Sequence, residues 1–235
     1  MSTEVETGSE RGRKAPKSRE AFLQSAVRLF AERGYDGMTI RDVAREAGTT
    51  LGTLSYYWGN KDALVREICM MQLTPLVEAR LARYAEVSGS SREEQVASLL
   101  RAHFEPFVEI FVGSDDERRQ VQEFYTRASS DPSPTVRAAN VELMQEMSRE
   151  FVHRLRSLCD HLEDREFHWR LNGVLGTTLH MQAFSGRLLD LARRVGLGAE
   201  SSDYADVRSG IEPTVHFLTV ALCAPPMERD QPAER

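Results

Sequence analysis

Residues 39–61 read TIRDVAREAGTTLGTLSYYWGNK, and the fold turns on how this stretch is parsed. Thr39 with Asp42 three residues later is a capping box that opens a short helix. Gly48 stops that helix, because glycine reaches the backbone angles a tight turn requires. Thr50 can cap a second helix that runs through Leu54 to about Trp58. Gly59 breaks it, and Asn60 caps a longer helix beyond. Val43, Ala47 and Leu54 supply a buried side, and the small Ala44 lets the second helix cross closely over the first. Two short helices around a glycine turn are a helix-turn-helix, the arrangement that places its second helix in a DNA major groove.

The outward side of that second helix offers Leu51, Thr53, Ser55, Tyr56 and Tyr57, followed by Lys61 at the next helix start. Hydroxyls can bond bases or phosphates, Leu51 can touch a thymine methyl, and Lys61 can hold a phosphate. Thr39, Arg41 and the backbone donors at the first helix start can take the opposite phosphate.

Away from this motif, apolar residues recur at helical spacing and no segment alternates as a strand. Phe22, Ala26, Leu29 and Phe30 form one stripe closed by Gly34. Leu64, Val65, Ile68, Met71 and Leu76 lie along a helix from Lys61 to about Tyr84. Further helices are expected to end near residue 111, over residues 117–128, 134–162 and 164–194, and over 203–224 with a kink near Gly210 and Pro213. The expectation is an all-α protein of about nine helices without internal repeats. It divides into a disordered polar tail (1–17), a helix-turn-helix domain (18–62), a larger helical domain (63–224) and a second disordered tail (225–235).

Hydrophobic residues are 41% and charged residues 28% of the 235 positions, an ordinary globular balance. The net charge of -6 conceals a split, since residues 11–61 hold ten basic and five acidic side chains and the remainder is acidic. A basic N-terminal module on an acidic body suits a DNA reader. The basic group Arg11, Arg13, Lys14 and Lys17 is read either as a solvated terminus or as an arm toward phosphates or the minor groove. No apolar run reaches membrane-span length and no apolar signal segment precedes the charged start, so a cytoplasmic protein with no membrane partner is expected. Cys69, Cys159 and Cys223 carry no CxxC and no disulfide framework.

Cys159, His161 and His168 have poor zinc spacing, and Glu150 with His153 is one Glu-x-x-His where a di-iron bundle needs two. No metal or cofactor is expected. The chain lacks GxSxG, P-loop, GxGxxG and HExxH motifs, so an enzyme is not expected. Aromatic and methionine side chains in the larger domain suit an adaptable apolar cavity: His103, Phe107, Phe111, Phe124, Tyr125, Met144, Met147, Phe151, Trp169, His180 and Phe184 are its candidate lining.

The stretch SREAFLQSAVRLFAERGYDGMTIRDVAREAGTTLGTLSYYWGNKDALVREI, residues 18–68, resembles the N-terminal domain of the tetracycline-repressor (TetR) family of bacterial regulators. LFAERGYDGMTIRDVAREAG and GTLSYYWGNKDAL stand at that family's usual spacing. The resemblance implies that residues 50–58 are the recognition helix, with Thr39, Arg41, Thr50, Leu51, Gly52, Thr53, Ser55, Tyr57 and Lys61 facing DNA. Ser55 stands where the family usually has Tyr, Leu51 where a polar or basic residue is common, and Trp58 where Phe is common. DREFHWRLNGVLGTTLHMQAFSGRLLDLA looks like the C-terminal domain of a branch that includes fatty-acid-responsive repressors, which points to an acyl or other largely apolar effector. The resemblance further implies that residues 63–224 bind the effector and form a homodimer through the last two helices, with Leu171, Val174, Leu175, Thr178, Ile211, Leu218 and Leu222 at the interface and Gly173 and Gly176 allowing close approach. The expected activity is a ligand-responsive repressor that releases a palindromic double-stranded operator when its small-molecule effector binds. The alternative is a regulator controlled through a protein partner.

Overall fold

The computed structural model of the chain describes residues 7–109, 115–183, 194–196 and 208–227. Among these, nine helices follow one another: α1 (Thr7–Gly37), α2 (Ile40–Glu46), α3 (Leu51–Tyr57), α4 (Lys61–Tyr84), α5 (Arg92–Glu109), α6 (Asp115–Ser130), α7 (Pro134–Leu158), α8 (Asp164–Ala183) and α9 (Ile211–Cys223). The described residues contain no strand, so the all-α expectation stands. None of the described helices is long and apolar enough to cross a membrane.

Packing divides the chain into two compact units, Met1–Pro75 with Phe111–Leu143 and Leu76–Ile110 with Met144–Arg235. The expected division near residue 62 does not follow this grouping, because α6 packs with α1. The Phe30 and Phe124 rings stand 5.0 Å apart, and both side chains are fully buried.

The first unit holds the helix-turn-helix. Phe22 stacks on Trp58 at 5.3 Å, and Met38, Val43, Leu64, Val65 and Ile68 complete a core that excludes water. Trp58 is thus a core side chain, its indole N–H donating to Glu67. At the end of α1 the chain turns at Gly34, whose φ is +70. A Cβ there would lie 2.7 Å from Oδ2 of Asp131. That oxygen accepts the Tyr35 backbone N–H at 2.8 Å, and Oδ1 of the same carboxylate accepts the Ser133 N–H at 2.9 Å. Asp131 therefore accepts the N–H that follows the break at Gly34 and the N–H of the residue that precedes α7, two donors without intrahelical partners.

The second unit is built around a buried polar chain. Tyr84 Oη lies 2.7 Å from His103 Nδ1, and Thr178 Oγ1 lies 3.2 Å from His103 Nε2. Thr178 donates its only hydroxyl proton to the Val174 carbonyl, at 2.9 Å. It must therefore accept from His103 Nε2–H, which leaves Nδ1 to accept from the Tyr84 hydroxyl. Burial first, and then the charge of Arg80, hold His103 well below its ordinary pKa, so the ring is neutral. Arg80 is itself buried and donates to the His103 carbonyl at 2.7 Å. The chain joins α4, α5 and α8.

Several helix ends differ from expectation. Backbone helix reaches back to Thr7 into the expected tail. α7 stops at Leu158, before the turn that contains Cys159. α9 begins at Ile211 after Gly210, so Pro213 sits in the first turn, where a missing N–H costs no helical bond, and does not kink the helix. Residues 203–207 of that expected helix lie outside the described residues.

Two outcomes follow. Gly48 also has a left-handed φ, +62, but a Cβ there would meet nothing within 4 Å. Gly48→Ala should therefore cost only the conformational roughly 1–2 kcal/mol. Gly34→Ala adds displacement of Asp131 and should cost about 1 kcal/mol or more beyond that, as read by urea unfolding. Because the folded state excludes a proton from His103 that the unfolded state takes up near pH 6.5, stability should fall as pH drops from 6.5 toward 5.5. The slope should approach about 1.4 kcal/mol per pH unit. His103→Gln should be less stable at neutral pH yet lose that component of the slope, and an unchanged slope would show that His103 is not its source.

Candidate nucleic-acid interface

The helix-turn-helix is built by the local rules its sequence suggests. The Thr39 hydroxyl accepts the Asp42 N–H at 3.2 Å and donates to the Asp42 carboxylate at 2.7 Å, so Thr39 caps α2 and the carboxylate closes back on its hydroxyl. The bond from the Thr39 hydroxyl, more than the neighbouring arginines, holds the Asp42 carboxyl below the usual carboxylate range. After Gly48, Thr50 takes the cap position of α3 in extended backbone, without a side-chain cap bond. Asn60 caps α4 by accepting the Ala63 N–H at 2.8 Å. Val43 and Ala44 are buried, and Leu54 is half-buried.

α3 turns Leu51, Gly52, Ser55 and Tyr56 outward, with Thr53 and Tyr57 half-buried beside them. Tyr56 is 80% exposed and Leu51 48%, which makes this an apolar and hydroxylic surface in open solvent. Arg41 and Thr50 are exposed next to it. Two expected phosphate contacts have partners of their own. The Thr39 hydroxyl serves the start of α2, and the Lys61 ammonium donates to the Tyr35 carbonyl at 2.6 Å and lies 4.1 Å from the Tyr35 ring centroid. Lys61 therefore caps the end of α1. Its remaining N–H groups are what it can offer a phosphate.

Four arginines of this module are engaged too. Arg19 pairs with Glu67, Arg28 with Glu46 at 2.7 Å, Arg33 with Asp42 at 3.6 Å, and Arg45 with Asp42. Charge counting along residues 11–61 therefore overstates the cationic surface.

The expected pocket lining separates. His103, Phe107, Met147 and Phe151 are buried in the second unit, where the His103 and Phe151 rings are 4.3 Å apart. Met144 is half-buried. Phe124 and Tyr125 belong to the first unit, Phe124 against Phe30 and the Tyr125 hydroxyl donating to the Gln72 carbonyl at 2.8 Å. His180 is exposed. Trp169 is 64% exposed and borders a surface groove of about 660 Å³ with Arg170, Ala221 and Met227. Neither Trp169 nor His180 lines an interior cavity, because each stands on the outward face of α8. Phe111 and Phe184 lie outside the described residues.

The expected interface residues need the same correction. Val174, Thr178, Ile211, Leu218 and Leu222 are buried within the protomer, and Leu171 is half-buried. A side chain already packed in its own core cannot meet a second copy. Leu175 is exposed, and the structure adds Leu179, Phe217 and Val220, which the stripes drawn from sequence leave out. Gly173 and Gly176 share that outward face, and a Cβ on either would meet nothing within 4 Å. Those two glycines are the available signal, since they mark the turn of α8 that faces out. Among the described residues, no three His, Cys, Asp or Glu side chains gather as a metal site would require.

The pattern described as "Bacterial regulatory proteins, tetR family" matches residues 22–68. The one described as "Tetracyclin repressor-like, C-terminal domain" matches residues 101–220, half of the chain. The HTH-type transcriptional repressor KstR2 of Mycolicibacterium smegmatis is 28% identical over 107 residues, 43% of this chain and 50% of that protein. KstR2 of Mycobacterium tuberculosis is 33% identical over 89 residues, 37% of this chain and 42% of that protein. The chain thus matches about half the length of these relatives or less. The TetR family regulator PfmR from Thermus thermophilus superimposes with a TM-score of 0.55 at 18% identity, covering 90% of this chain and 98% of PfmR. The transcriptional regulator FadR from Bacillus subtilis, solved in complex with stearoyl-CoA, gives 0.53 at 14% identity, covering 86% of this chain and 98% of FadR. At these identities the structural likeness is one of fold. With matches at both its reading head and its larger helical domain, the chain belongs to the TetR family of bacterial regulatory proteins, which bind DNA to control transcription.

Proposed function

We propose that the protein is a ligand-responsive repressor that grips a palindromic double-stranded operator as a homodimer and releases it when a small, largely apolar effector binds. The observation that carries this reading is the pairing of two solvent-facing surfaces. One is the face of α3 that presents Leu51, Ser55 and Tyr56, with Thr53 and Tyr57 at its flanks. The other is the apolar stripe of Leu175, Leu179, Phe217 and Val220 on α8 and α9, helices that pack on each other. Phe217 is 65% exposed and Val220 57%, a poor arrangement for a free surface and a good one for a two-fold contact with the same stripe of a second copy. Two copies so joined present two reading helices to successive major grooves.

An acyl or acyl-CoA effector is supported by the motif resemblance of α8 and by FadR, which was solved with stearoyl-CoA. α4 is the element through which an effector acts on the head, since its first part packs in the first unit and residues 76–84 in the second. The effector must bind the released state more tightly than the DNA-bound state, because equal affinity shifts no equilibrium. Arg41 and Thr50 contact phosphates, and the α3 face contacts bases.

Arg41→Ala should weaken operator binding across sequences and reduce the salt slope by about one phosphate contact per head, seen in titrations at several salt concentrations. Phe217→Asp should turn dimers into monomers by light scattering while keeping helical content, because the side chain is exposed in the protomer. A dimer that persists would place the interface elsewhere. Palmitoyl- and stearoyl-CoA should raise the thermal midpoint and release the operator. Failure of both, with operator binding intact, would favour control by a protein partner.

A further inference from the structure

The reading helix Leu51–Tyr57, LGTLSYY, contains no charged side chain and no amide. Guanine is read in the major groove chiefly by bidentate Arg or Lys, adenine by Asn or Gln, and the cytosine amino group by Asp or Glu. None of these stands on α3. What the helix holds toward solvent is Leu51 and Ser55, one helical turn apart on one face, with Tyr56 beside them. Leu51 is the first residue of α3, and the N-terminal residues of a recognition helix are those that reach base edges.

Two further observations sharpen this. Gly52 is exposed, and the nearest atom to a Cβ placed on it is Thr50 Oγ1 at 3.4 Å, so no side chain holds the helix backbone away from the groove floor beside Leu51. The arginines of α1 and α2 at positions 28, 33 and 45 are paired with carboxylates, and Lys61 donates to the Tyr35 carbonyl. Those positions offer no guanine reader, and Arg41, exposed at the start of α2, is the phosphate contact of the proposed function.

We infer that α3 reads thymine by its 5-methyl group, with Leu51 as the specificity-determining contact and Ser55 and Tyr56 flanking it. Thymine is the one base whose major-groove edge carries an apolar group. An exposed leucine gains from burying against a methyl and loses nothing in unmade hydrogen bonds. The operator half-site consequently carries T·A pairs beneath the start of α3, where a head with Arg at this position would demand guanine. The inference rests on the proposal that this face binds DNA.

The test selects binding duplexes from a randomised double-stranded library with the full-length protein. Each selected thymine is then replaced by deoxyuridine, which removes only the methyl, and each guanine by 7-deazaguanine. The expected result is at least one thymine per half-site at which uracil weakens binding by about three- to fivefold. In Leu51→Ala that loss should vanish, while salt-dependent binding to unselected DNA and helical content are retained. Uracil tolerated at every position, a uracil penalty unchanged in Leu51→Ala, or 7-deazaguanine penalties exceeding all others would overturn the inference and leave DNA binding standing. No enrichment from the library would overturn the DNA-binding proposal and this inference with it.

Discussion

The carboxylate of Asp131 is bonded at both oxygens to backbone donors from different helices, and the arrangement of the first unit follows from that. Oδ2 holds the Tyr35 N–H as α1 ends and Oδ1 holds the Ser133 N–H as α7 begins. Charge-assisted bonds of this kind contribute roughly 1.5–3 kcal/mol each, more than neutral ones. They require close approach at Gly34, where any Cβ would meet the carboxylate. The same corner receives α4: Lys61 bonds the Tyr35 carbonyl and Asp62 accepts the Tyr35 hydroxyl. α6 is held alongside by the Phe30–Phe124 contact and by Arg127 donating to the Glu32 carbonyl. The end of α1, the start of α4 and the α6–α7 turn therefore meet at one residue, Tyr35. A change in any of them reaches the helix-turn-helix through backbone hydrogen bonds.

Charge is used differently at the core and at the surface of this protein. Around the reading head, most of the described arginines are paired with carboxylates on the same module. Such exposed pairs add little stability. They do reduce the cationic field that would otherwise bind any nucleic acid, and an uncharged reading helix follows the same logic. In the second unit the relation is reversed. There the buried chain Tyr84–His103–Thr178 has its donors and acceptors assigned in sequence, with the imidazole neutral. A satisfied polar chain in a low-dielectric core specifies a unique packing of α4, α5 and α8, because any slip would leave a buried group without its partner.

Much of the reading head is legible in the sequence because its signals are local. Thr39 and Asp42, Gly48, Gly59 and Asn60 act within one or two turns, and each does in the structure what its chemistry implies. The helices of the larger domain are legible as helices for the same reason, through spacing. Their facing is not. Val174 and Leu175, and likewise Phe217 and Leu218, are adjacent apolar pairs, so a periodic stripe can be drawn through either member. Only the position of the neighbouring helices shows that Val174 and Leu218 go inside and Leu175 and Phe217 outside. The bond from Lys61 to the Tyr35 carbonyl is illegible on similar grounds, since a lysine after a reading helix suggests a phosphate and nothing nearby in the sequence announces that carbonyl.

The amino-acid sequence by itself determined the all-α fold, the helix-turn-helix and the uncharged character of its second helix, because capping, turns and side-chain identity depend on residues close along the chain. Tertiary structure alone decided which apolar faces remain open, which basic groups are already paired, and how Asp131 and His103 join distant helices. Many of those outcomes depend on contacts between residues far apart in sequence, such as Tyr84 with His103 across 19 positions and Arg101 with Glu212 across 111. No periodicity or motif encodes such distances, since they arise only when the helices are packed.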